Sequence, residues 1–350
     1  MQVYFSPVQL THRPLQFMVA GRLVAPLEVP ERAERMAASL AGIGLAVADP
    51  GAADLAAIGA VHAGHYVDFL RAAHGRFSAI AGAGPEVLPN VHPHVGAARD
   101  LAVRPAPRTT SVVGQAGWYM GDLASAIGPG TWEAAAASAA AAIAAARAVL
   151  GGARESFALC RPPGHHAYAD RASGFCFLNN AAIAAELLRT AFERVAIVDF
   201  DTHHGDGTQA LFYRRADVLY ASVHTDPAAY YPFYAGYEDE RGAGAGEGFN
   251  VNLPLAPGSG DAVFIEANRV LADALLAFRA DALVLSAGWD AHKDDPLSKL
   301  AATTAAFERI GALWGALRLP TVIVQEGGYS LAAIQEIAPA FVKAFLGARG

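Results

Sequence analysis

The sequence contains little cysteine and little charge. Cys160 and Cys176 are the only cysteines among 350 residues, so a disulfide framework is excluded. Charged residues make up 17% of the chain and the net charge is −7, which gives no electrostatic reason to expect nucleic acid or an anionic membrane as a partner. The first ten residues lack the basic and then apolar segments of a secretory signal. We therefore expect a cytoplasmic protein with no nucleic-acid or membrane partner.

One apolar segment has the length of a membrane span. Residues 133–150 read EAAAASAAAAIAAARAVL, but Glu133 and Arg147 interrupt the segment and alanine is only weakly apolar. Thr131 is a candidate N-cap just before it. The segment therefore predicts a buried helix rather than a membrane span.

Apolar runs of strand length alternate with helical segments along the chain. The predicted strands are Gln2–Phe5, Ser156–Cys160, Val195–Phe200, Val218–Val223, Ala282–Ser286 and Thr321–Gln325. The predicted helices are approximately Pro30–Leu40, Trp132–Leu150, Asn180–Phe192, Gly260–Phe278 and Thr303–Leu317. Continuous apolar strands alternating with helices favour a parallel sheet that is covered on both faces. No linker or repeat divides the chain, so we predict that residues 1–350 form a single α/β domain.

Two long segments are typical of loops. Gly82–Thr110 is rich in proline, glycine and histidine, and Thr225–Asn250 contains a group of aromatic residues, namely Tyr230, Tyr231, Phe233, Tyr234 and Tyr237. Long loops in compact domains are more often functional than not. The aromatic residues could line a substrate channel or seal the core beneath the loop, and the sequence favours neither alternative.

Titratable and metal-binding residues follow most of the predicted strands. They are His165 and His166 after 156–160, Asp201 and His203 after 195–200, His224 after 218–223, Asp290 after 282–286 and Tyr329 after 321–325. A single one of these would be read as an ordinary loop residue. Because the carboxyl ends of parallel strands meet at one edge of a sheet, the whole set predicts an active site there.

The spacing Asp201-x-His203 indicates a metal site. Alternate residues of an extended segment point to the same side, so both side chains can reach one ion, and Asp290 is the best third ligand. Three protein ligands with an open position are typical of catalytic zinc, which polarises a carbonyl and acidifies a bound water. Two carboxylates and one imidazole also suit Fe²⁺, Co²⁺ or Mn²⁺.

The tandem histidines indicate acid–base chemistry beside the metal. Imidazoles near an activated water suit a general base and acid at neutral pH, and His165 and His166 each need a carboxylate partner. Asp199 and Asp206 are the two carboxylates of the motif that remain available, so two His–Asp dyads are predicted. Tyr329 could supply a phenol to the developing oxyanion.

Five motifs in this order resemble a known family. They are RPPGHHA, GFCFLNNAA, VDFDTHHGDGTQ, SAGWDAHKDDPL and EGGY. Together they resemble the zinc-dependent histone deacetylase and acetylpolyamine amidohydrolase superfamily over essentially the whole chain. PGTWEAA, GQAGWY and RLVAPLEVPERAERM are most similar to its bacterial acetylpolyamine amidohydrolase branch. The resemblance implies an arginase-like, three-layer α/β/α fold around a mainly parallel, eight-stranded sheet.

The resemblance also implies a role for each site residue. Zn²⁺ would be held by Asp201, His203 and Asp290. His166, oriented by Asp206, would be the main general base and acid, and His165 with Asp199 would give electrostatic support. Tyr329 would bind the scissile carbonyl. His204 has no catalytic task and is expected to be a structural hydrogen-bonding residue.

Substrate, potassium and subunit contacts are implied in the same way. Phe175 and Tyr231 match the aromatic channel walls, and Gly174 matches a glycine that hydrogen-bonds the substrate amide. Gly327 and Gly328, beside Tyr329, are also expected to bind substrate. A structural K⁺ would be held by main-chain oxygens of Asp199, Asp201, His203 and Val223 and by the hydroxyl of Ser222. Members of the polyamine branch tend to form dimers through insertions that narrow the channel, so we expect a homodimer or higher homo-oligomer with such insertions at Gly21–Glu31 and Gly82–Thr110.

The substrate is less defined than the chemistry. Where polyamine-specific members carry acidic residues, this chain has Val112, Val113, Ala124 and Ser125, with Asp122 as the one nearby acid. We expect removal of acetyl or other acyl groups from polyamines or similar small amines. The alternative is acyl-lysine deacetylation on proteins or peptides. A catalytically silent metal-binding relative and a manganese ureohydrolase are less favoured, because both dyads are intact and too few carboxylates are present for two metals.

Overall fold

A parallel sheet forms the centre of the protein, for which a computed structural model describes residues 1–93 and 104–350. The strands are β1 Gln2–Tyr4, β2 Phe17–Val19, β3 Arg22–Val24, β4 Ala46–Ala48, β5 Glu155–Ala158, β6 Val195–Asp199, β7 Val218–Thr225, β8 Asn250–Leu255, β9 Ala282–Ala287 and β10 Thr321–Gln325. Within the described residues, one sheet contains eight of them in the order β4–β1–β5–β10–β9–β6–β7–β8, and all neighbours run parallel. β2 and β3 form a separate antiparallel hairpin.

Helices cover both faces of the sheet. They are α1 Glu31–Gly42, α2 Leu55–Gly59, α3 Gly64–Ser78, α4 Val112–Tyr119, α5 Thr131–Leu150, α6 Asn180–Leu188, α7 Asp206–Phe212, α8 Asp261–Phe278, α9 Thr304–Ala316 and α10 Ile334–Arg349. The helices α2–α7 contribute to the core on one face, and α1, α8, α9 and α10 contribute to the core on the other. The predicted three-layer α/β/α fold is therefore confirmed.

The apolar runs predicted as strands are buried because each strand meets a core on both faces. In β6, Val195 and Ile197 pack into one core, whereas Ala196 and Val198 pack into the other. Successive side chains of a strand point to opposite faces, so a strand between two helical layers needs apolar residues at every position.

The two strands at the edges of the sheet were missed by the sequence pattern. β4 has three residues, and β8 reads NVNLPL, with polar residues and Pro254 inside it. Edge strands are short and tolerate proline because one side of the ladder has no partner. A continuous apolar run identifies a central strand, but the edge strands need no such run and cannot be predicted from it.

Several helix predictions need correction. Helix α5 begins at Thr131 with Gly130 as its N-cap, so the prediction of Thr131 as the N-cap is wrong. The hydroxyl of Thr131 instead accepts the N–H of Gly128 at 2.9 Å. The helix predicted to reach Phe192 ends at Leu188. Among the helices that the pattern did not predict, α10 contains Pro339, a residue that usually ends a helix.

Among the described residues, α5 is the one helix that is long and apolar enough to cross a membrane, and most of it is buried inside the protein. It packs against α6, β5 and β1, which accounts for its apolar composition.

Candidate active site

The carboxyl ends of the central strands carry the polar residues that the sequence pattern singles out. Because the strands are parallel, these ends lie at one edge of the sheet, where α/β proteins bind ligands. The residues buried there are His165 and His166 after β5, Asp199, Asp201, His203 and Asp206 at and after the end of β6, Asp290 after β9 and Tyr329 after β10. The adjacent strands β5, β10, β9 and β6 therefore assemble the site.

Asp201, His203 and Asp290 converge at this edge. Nδ1 of His203 lies 3.0 Å from Oδ1 of Asp201 and 3.1 Å from Oδ2 of Asp290. One potential ligand atom from each residue lies within 4.8 Å of the other two, and both carboxylates are fully buried. The three side chains predicted to share one ion therefore have their donor atoms within reach of a common point.

Main-chain groups hold both carboxylates in place. The N–H of Thr202 donates to Oδ1 of Asp290 at 2.9 Å, and the N–H of Gly327 donates to Oδ2 of Asp201 at 2.8 Å. A Cβ atom at Gly327 or at Gly288 would collide with a carboxylate oxygen. The close approach of the backbone thus requires glycine at both positions. Nothing in the sequence pattern singles out Gly288 except its place two residues before Asp290.

The donor set is buried and acidic. Burial and the neighbouring Asp201 carboxylate raise the pKa of Asp290 to about 7. Within the described residues, no lysine or arginine forms a salt bridge with either carboxylate, and histidines are their ion-pair partners. Two carboxylates around one imidazole, without a lysine or arginine paired to them, fit a divalent cation such as Zn²⁺, Fe²⁺ or Co²⁺.

Each of the tandem histidines pairs with a carboxylate. Nδ1 of His165 lies 3.0 Å from Oδ2 of Asp199, and Nδ1 of His166 lies 2.7 Å from Oδ1 of Asp206. Because an ionised carboxylate can only accept, Nδ1 carries the proton in both rings, which fixes the orientation of each ring. These two pairs are the ones that the resemblance implies.

The pKa values of the two histidines shift in opposite directions. Burial lowers the pKa of His165, but the carboxylates of Asp199 and Asp201 outweigh burial and raise it to about 10. Burial and the neighbouring His165 lower the pKa of His166. At neutral pH, His166 is therefore the member of the pair that can accept a proton.

Tyr329 lies in the wall of the site. Its ring packs edge-on against Phe175 with a centroid distance of 5.8 Å, and the guanidinium of Arg32 lies 4.5 Å from its ring centroid. Oδ2 of Asp295 accepts the N–H of Tyr329 at 2.6 Å. The sequence analysis did not identify Arg32 and Asp295 as neighbours of the site. Both lie within motifs that carry the family resemblance, and this position could have identified them.

Gly327 and Gly328 connect β10 to Tyr329. Gly328 has a φ of +116°, a region that favours glycine, and its carbonyl accepts Nε of Arg32 at 2.5 Å. In the described part of the chain, neither glycine belongs to the lining of the cavity beside Tyr329. Their contact with substrate stays a prediction.

A cavity of about 1110 Å³ leads to these residues. It is lined by His166, His203 and Tyr329, by the predicted channel residues Gly174, Phe175 and Tyr231, and by the other aromatic residues of the segment 225–250, namely Tyr230, Phe233, Tyr234 and Tyr237. The aromatic group therefore lines a channel, which decides between the two alternatives that the sequence left open.

Asp122 forms hydrogen bonds with two of the predicted channel residues. Its Oδ2 accepts the N–H of Gly174 and the hydroxyl of Tyr231, both at 2.8 Å. Gly174 has a φ of +53°, and a Cβ atom there would collide with the ring of His166. The hydrogen bonds to Asp122 hold Gly174 and Tyr231 next to His166, and the absence of a side chain at Gly174 leaves room for the His166 ring.

The β2–β3 hairpin also reaches the cavity, which the sequence did not predict. Residues 17–20 line it, directly before the segment Gly21–Glu31 where we expect an insertion. The described parts of Gly82–Thr110 form neither a helix nor a named strand, as predicted, and residues 94–103 of that segment lie outside the described residues.

The residues of the predicted potassium site lie on the neighbouring strands β6 and β7 and on the segment that follows β6. Ser222 pairs with Asp199 across β7 and β6, and its hydroxyl lies 2.8 Å from Nδ1 of His224. Val223 follows Ser222 in β7. Nε2 of His204 lies 3.2 Å from Oδ1 of Asn252, which agrees with its expected structural role. Binding of K⁺ stays a prediction.

Comparison with known proteins decides the family. Residues 26–345 match the histone deacetylase domain. The chain belongs to the histone deacetylase family. This confirms the resemblance carried by the sequence motifs.

This histone deacetylase family member is similar to bacterial enzymes over its whole length. It is 47% identical over 351 residues to the acetylpolyamine amidohydrolase of Burkholderia pseudomallei, with 100% of both chains covered. It is 41% identical over 322 residues to acetylpolyamine amidohydrolase 1 of Pseudomonas aeruginosa, with 91% of this chain and 90% of that protein covered. The crystal structure of acetylpolyamine aminohydrolase from Burkholderia pseudomallei superposes with a TM-score of 0.93 at 46% identity, with 99% of both chains covered. The chain is a hydrolase of amide bonds, and its family is generally metal-dependent.

Proposed function

We propose that this histone deacetylase family member is a zinc-dependent amidohydrolase that removes acetyl or other acyl groups from N-acetylated polyamines or similar small acylated amines. The observation that carries the proposal is the pairing of His166 with Asp206, at 2.7 Å, in the same cavity wall as His203 and Tyr329. The names of the similar enzymes from Burkholderia and Pseudomonas support acetylated polyamines as the substrate class.

Asp201, His203 and Asp290 would hold the cation. When bound, Zn²⁺ would polarise the acyl carbonyl and lower the pKa of a water molecule. The same donors suit Fe²⁺ or Co²⁺. A structural K⁺ would be held by main-chain oxygens of Asp199, Asp201, His203 and Val223 and by the Ser222 hydroxyl.

His166 would move the protons of the reaction. With Nδ1 committed to Asp206, its Nε2 is the atom that accepts the proton of the attacking water and returns it to the departing amine. His165, held as an imidazolium between Asp199 and Asp201, would stabilise negative charge that develops on the acyl group.

Tyr329 would bind the acyl oxygen. Burial raises the pKa of its hydroxyl well above the ordinary value, so the hydroxyl keeps its proton at neutral pH and can donate. A donor placed where negative charge develops stabilises the transition state more than the ground state.

The cavity offers contacts to the rest of a small amine. Phe175 and Tyr231 would form the walls around the methylene chain, and Gly174 would hydrogen-bond the substrate amide. Asp239 also lines the cavity, and its carboxylate would suit an ammonium group.

Acyl-lysine on a protein or peptide is the second candidate. It is favoured by the size of the cavity, since about 1110 Å³ exceeds the roughly 300–1,000 Å³ typical of small-molecule pockets.

A substrate panel tests the proposal. We expect acetylputrescine and acetylspermidine to be hydrolysed with a higher kcat/KM than an acetyl-lysine peptide, and only after chelated enzyme has been reconstituted with zinc. His166→Ala and Tyr329→Phe should each lower kcat by about 10²- to 10⁴-fold, because a proton acceptor or an oxyanion donor is lost. His74→Ala, outside the site, is the control. Near-normal turnover by either site variant would contradict the mechanism, and a preference for the peptide would favour the second candidate.

We further propose that residues 1–350 form one catalytic domain that acts in the cytoplasm as a homodimer or higher homo-oligomer. The two cores packed on opposite faces of one sheet support a single domain. Exposed apolar side chains of Leu15, Val19 and Leu23 at the hairpin and of Tyr234 at the cavity support subunit contacts there.

A further inference from the structure

Asp206 uses its two carboxylate oxygens on two different side chains. Oδ1 lies 2.7 Å from Nδ1 of His166, and Oδ2 accepts the hydroxyl of Tyr168 at 2.8 Å. Among the described residues, no second donor reaches Oδ2. The rotation of this carboxylate, and with it the hydrogen bond to His166, therefore depends on Tyr168.

Tyr168 is itself held in place. Its backbone N–H donates to the carbonyl of Arg171 at 2.9 Å, which closes a short turn, and the guanidinium of Arg171 lies 4.0 Å from the centroid of its ring. The carbonyl of the preceding residue, Ala167, accepts Nδ2 of Asn179 at 3.0 Å. The phenol therefore approaches Asp206 from a fixed position.

The other dyad is built differently. Oδ1 of Asp199 accepts the N–H of Asp201 at 3.1 Å, and Oδ2 is shared between His165 and the more distant hydroxyl of Tyr220, at 3.4 Å. Asp199 is fully buried and fixed by the main chain, whereas Asp206 lies in the cavity wall, next to any water that enters. A side-chain donor is thus needed to fix Asp206 but not to fix Asp199.

We infer that Tyr168 is a positioning residue for the reaction, whose hydroxyl holds Asp206 so that Asp206 in turn orients His166. Outer partners of this kind set the geometry on which proton transfer depends. The inference rests on the proposed function, because it requires His166 to be the general base.

The variant Tyr168→Phe removes the hydroxyl and keeps the ring in the cavity wall. We expect kcat to fall about tenfold, the effect of losing one charge-assisted hydrogen bond, with KM changed by less than about twofold. Tyr66→Phe is the matched control, because it removes a buried hydroxyl that donates to the carbonyl of Phe177 at 2.8 Å. It should leave kcat unchanged, and thermal unfolding of both variants verifies that they are folded.

A double-mutant cycle with Asp206→Asn separates positioning from a merely structural role. If Tyr168 acts through Asp206, Tyr168→Phe should cost little in the Asp206→Asn background, where the chain to His166 is already broken. An equal loss in both backgrounds, or a normal kcat for Tyr168→Phe alone, would overturn the inference while the proposed function stands. Full activity of Asp206→Asn would overturn the proposed dyad and the inference together.

Discussion

The different roles proposed for His165 and His166 follow from their neighbours. Both rings are buried and lie side by side, with a centroid distance of 4.0 Å. His165 faces two carboxylates, Asp199 at 3.0 Å and Asp201 at 4.0 Å, whereas His166 has one carboxylate and an adjacent imidazole that tends to be charged. The pKa values of two identical side chains, adjacent in sequence, therefore shift in opposite directions, and this difference would allow His166 to act as the proposed base.

The buried side chain of His62 makes the free energy of unfolding depend on pH. Its Nε2 accepts the N–H of Asn179 at 2.8 Å, and burial lowers its pKa to about 4. Unfolding restores an ordinary pKa of about 6.5, so between pH 6.5 and 4 the unfolded chain binds a proton that the folded chain does not. The contribution of His62 to stability is therefore complete above pH 6.5 and is lost as the pH falls towards 4.

The variant His62→Gln tests this. Glutamine offers an oxygen to the N–H of Asn179 but cannot take a proton, so the wild type should lose stability relative to the variant as the pH falls from 7 to 4.5. The measurement is the urea midpoint of unfolding at each pH, with His74→Gln, at a partly exposed position of α3, as the control. A difference between wild type and His62→Gln that does not change with pH would contradict the prediction.

At the scale of elements, the alanine content of α5 reflects how closely the helix packs. The helix contacts α6, β5, β1 and the short helix Pro7–Thr11, and most of its alanines are buried. Alanine lets a helix lie close to its neighbours on several sides and also has the best helix propensity. The segment is apolar because it is surrounded by protein.

Enlarging one of these alanines should destabilise the fold. Ala142 is fully buried, so Ala142→Leu must displace its neighbours, and we expect a loss of about 1–3 kcal/mol in the free energy of unfolding. Ala144→Leu, at a partly exposed position of the same helix, should cost less. Chemical denaturation of both variants measures the difference. Equal stability of the two variants would show that α5 is not tightly packed at Ala142.

The aromatic loop after β7 is positioned by polar contacts. Oε2 of Glu240 accepts the N–H of Gly236 at 2.8 Å and Nε2 of Gln209 at 2.7 Å. Gln209 lies on α7, which follows the segment that contains Asp201 and His203. These hydrogen bonds connect the cavity wall to the helix that carries Asp206, so the shape of the cavity depends on the position of α7.

At the scale of the whole molecule, a bound cation would join elements that are distant in sequence. Asp201 and His203 follow β6 and Asp290 follows β9, and their acidic groups are buried together. A ligand that binds the folded state alone stabilises it, whereas an empty site leaves two buried carboxylates side by side. Removal of the metal by a chelator should therefore lower the thermal midpoint of unfolding, and Zn²⁺ should restore it.

Asp290→Asn provides the comparison for this experiment. With one carboxylate neutralised, we expect a weaker dependence of the thermal midpoint on zinc. A wild-type midpoint that is the same with and without zinc, once metal analysis has confirmed removal, would contradict the proposed site.

The sequence by itself determined the central strands and the local part of the site. Apolar runs identify β6 and β9 because both of their faces are buried, and Asp201-x-His203 is a spacing within one segment. The ordered motifs then identified the family. These signals are local, so they can be read without knowing which elements are neighbours.

The tertiary structure decided the rest. The edge strands β4 and β8, the hairpin at the cavity and the contact of Tyr168 with Asp206 depend on distant pairings that no local pattern encodes. Arg32 reaches the carbonyl of Gly328, 296 residues further along the chain, only because folding brings the start of α1 next to the residues that follow β10. The pKa of His166 likewise depends on burial and on the neighbouring His165, which only folding brings about. The residue types at the site could therefore be predicted from the sequence, whereas the protonation state of His166 depends on the tertiary structure.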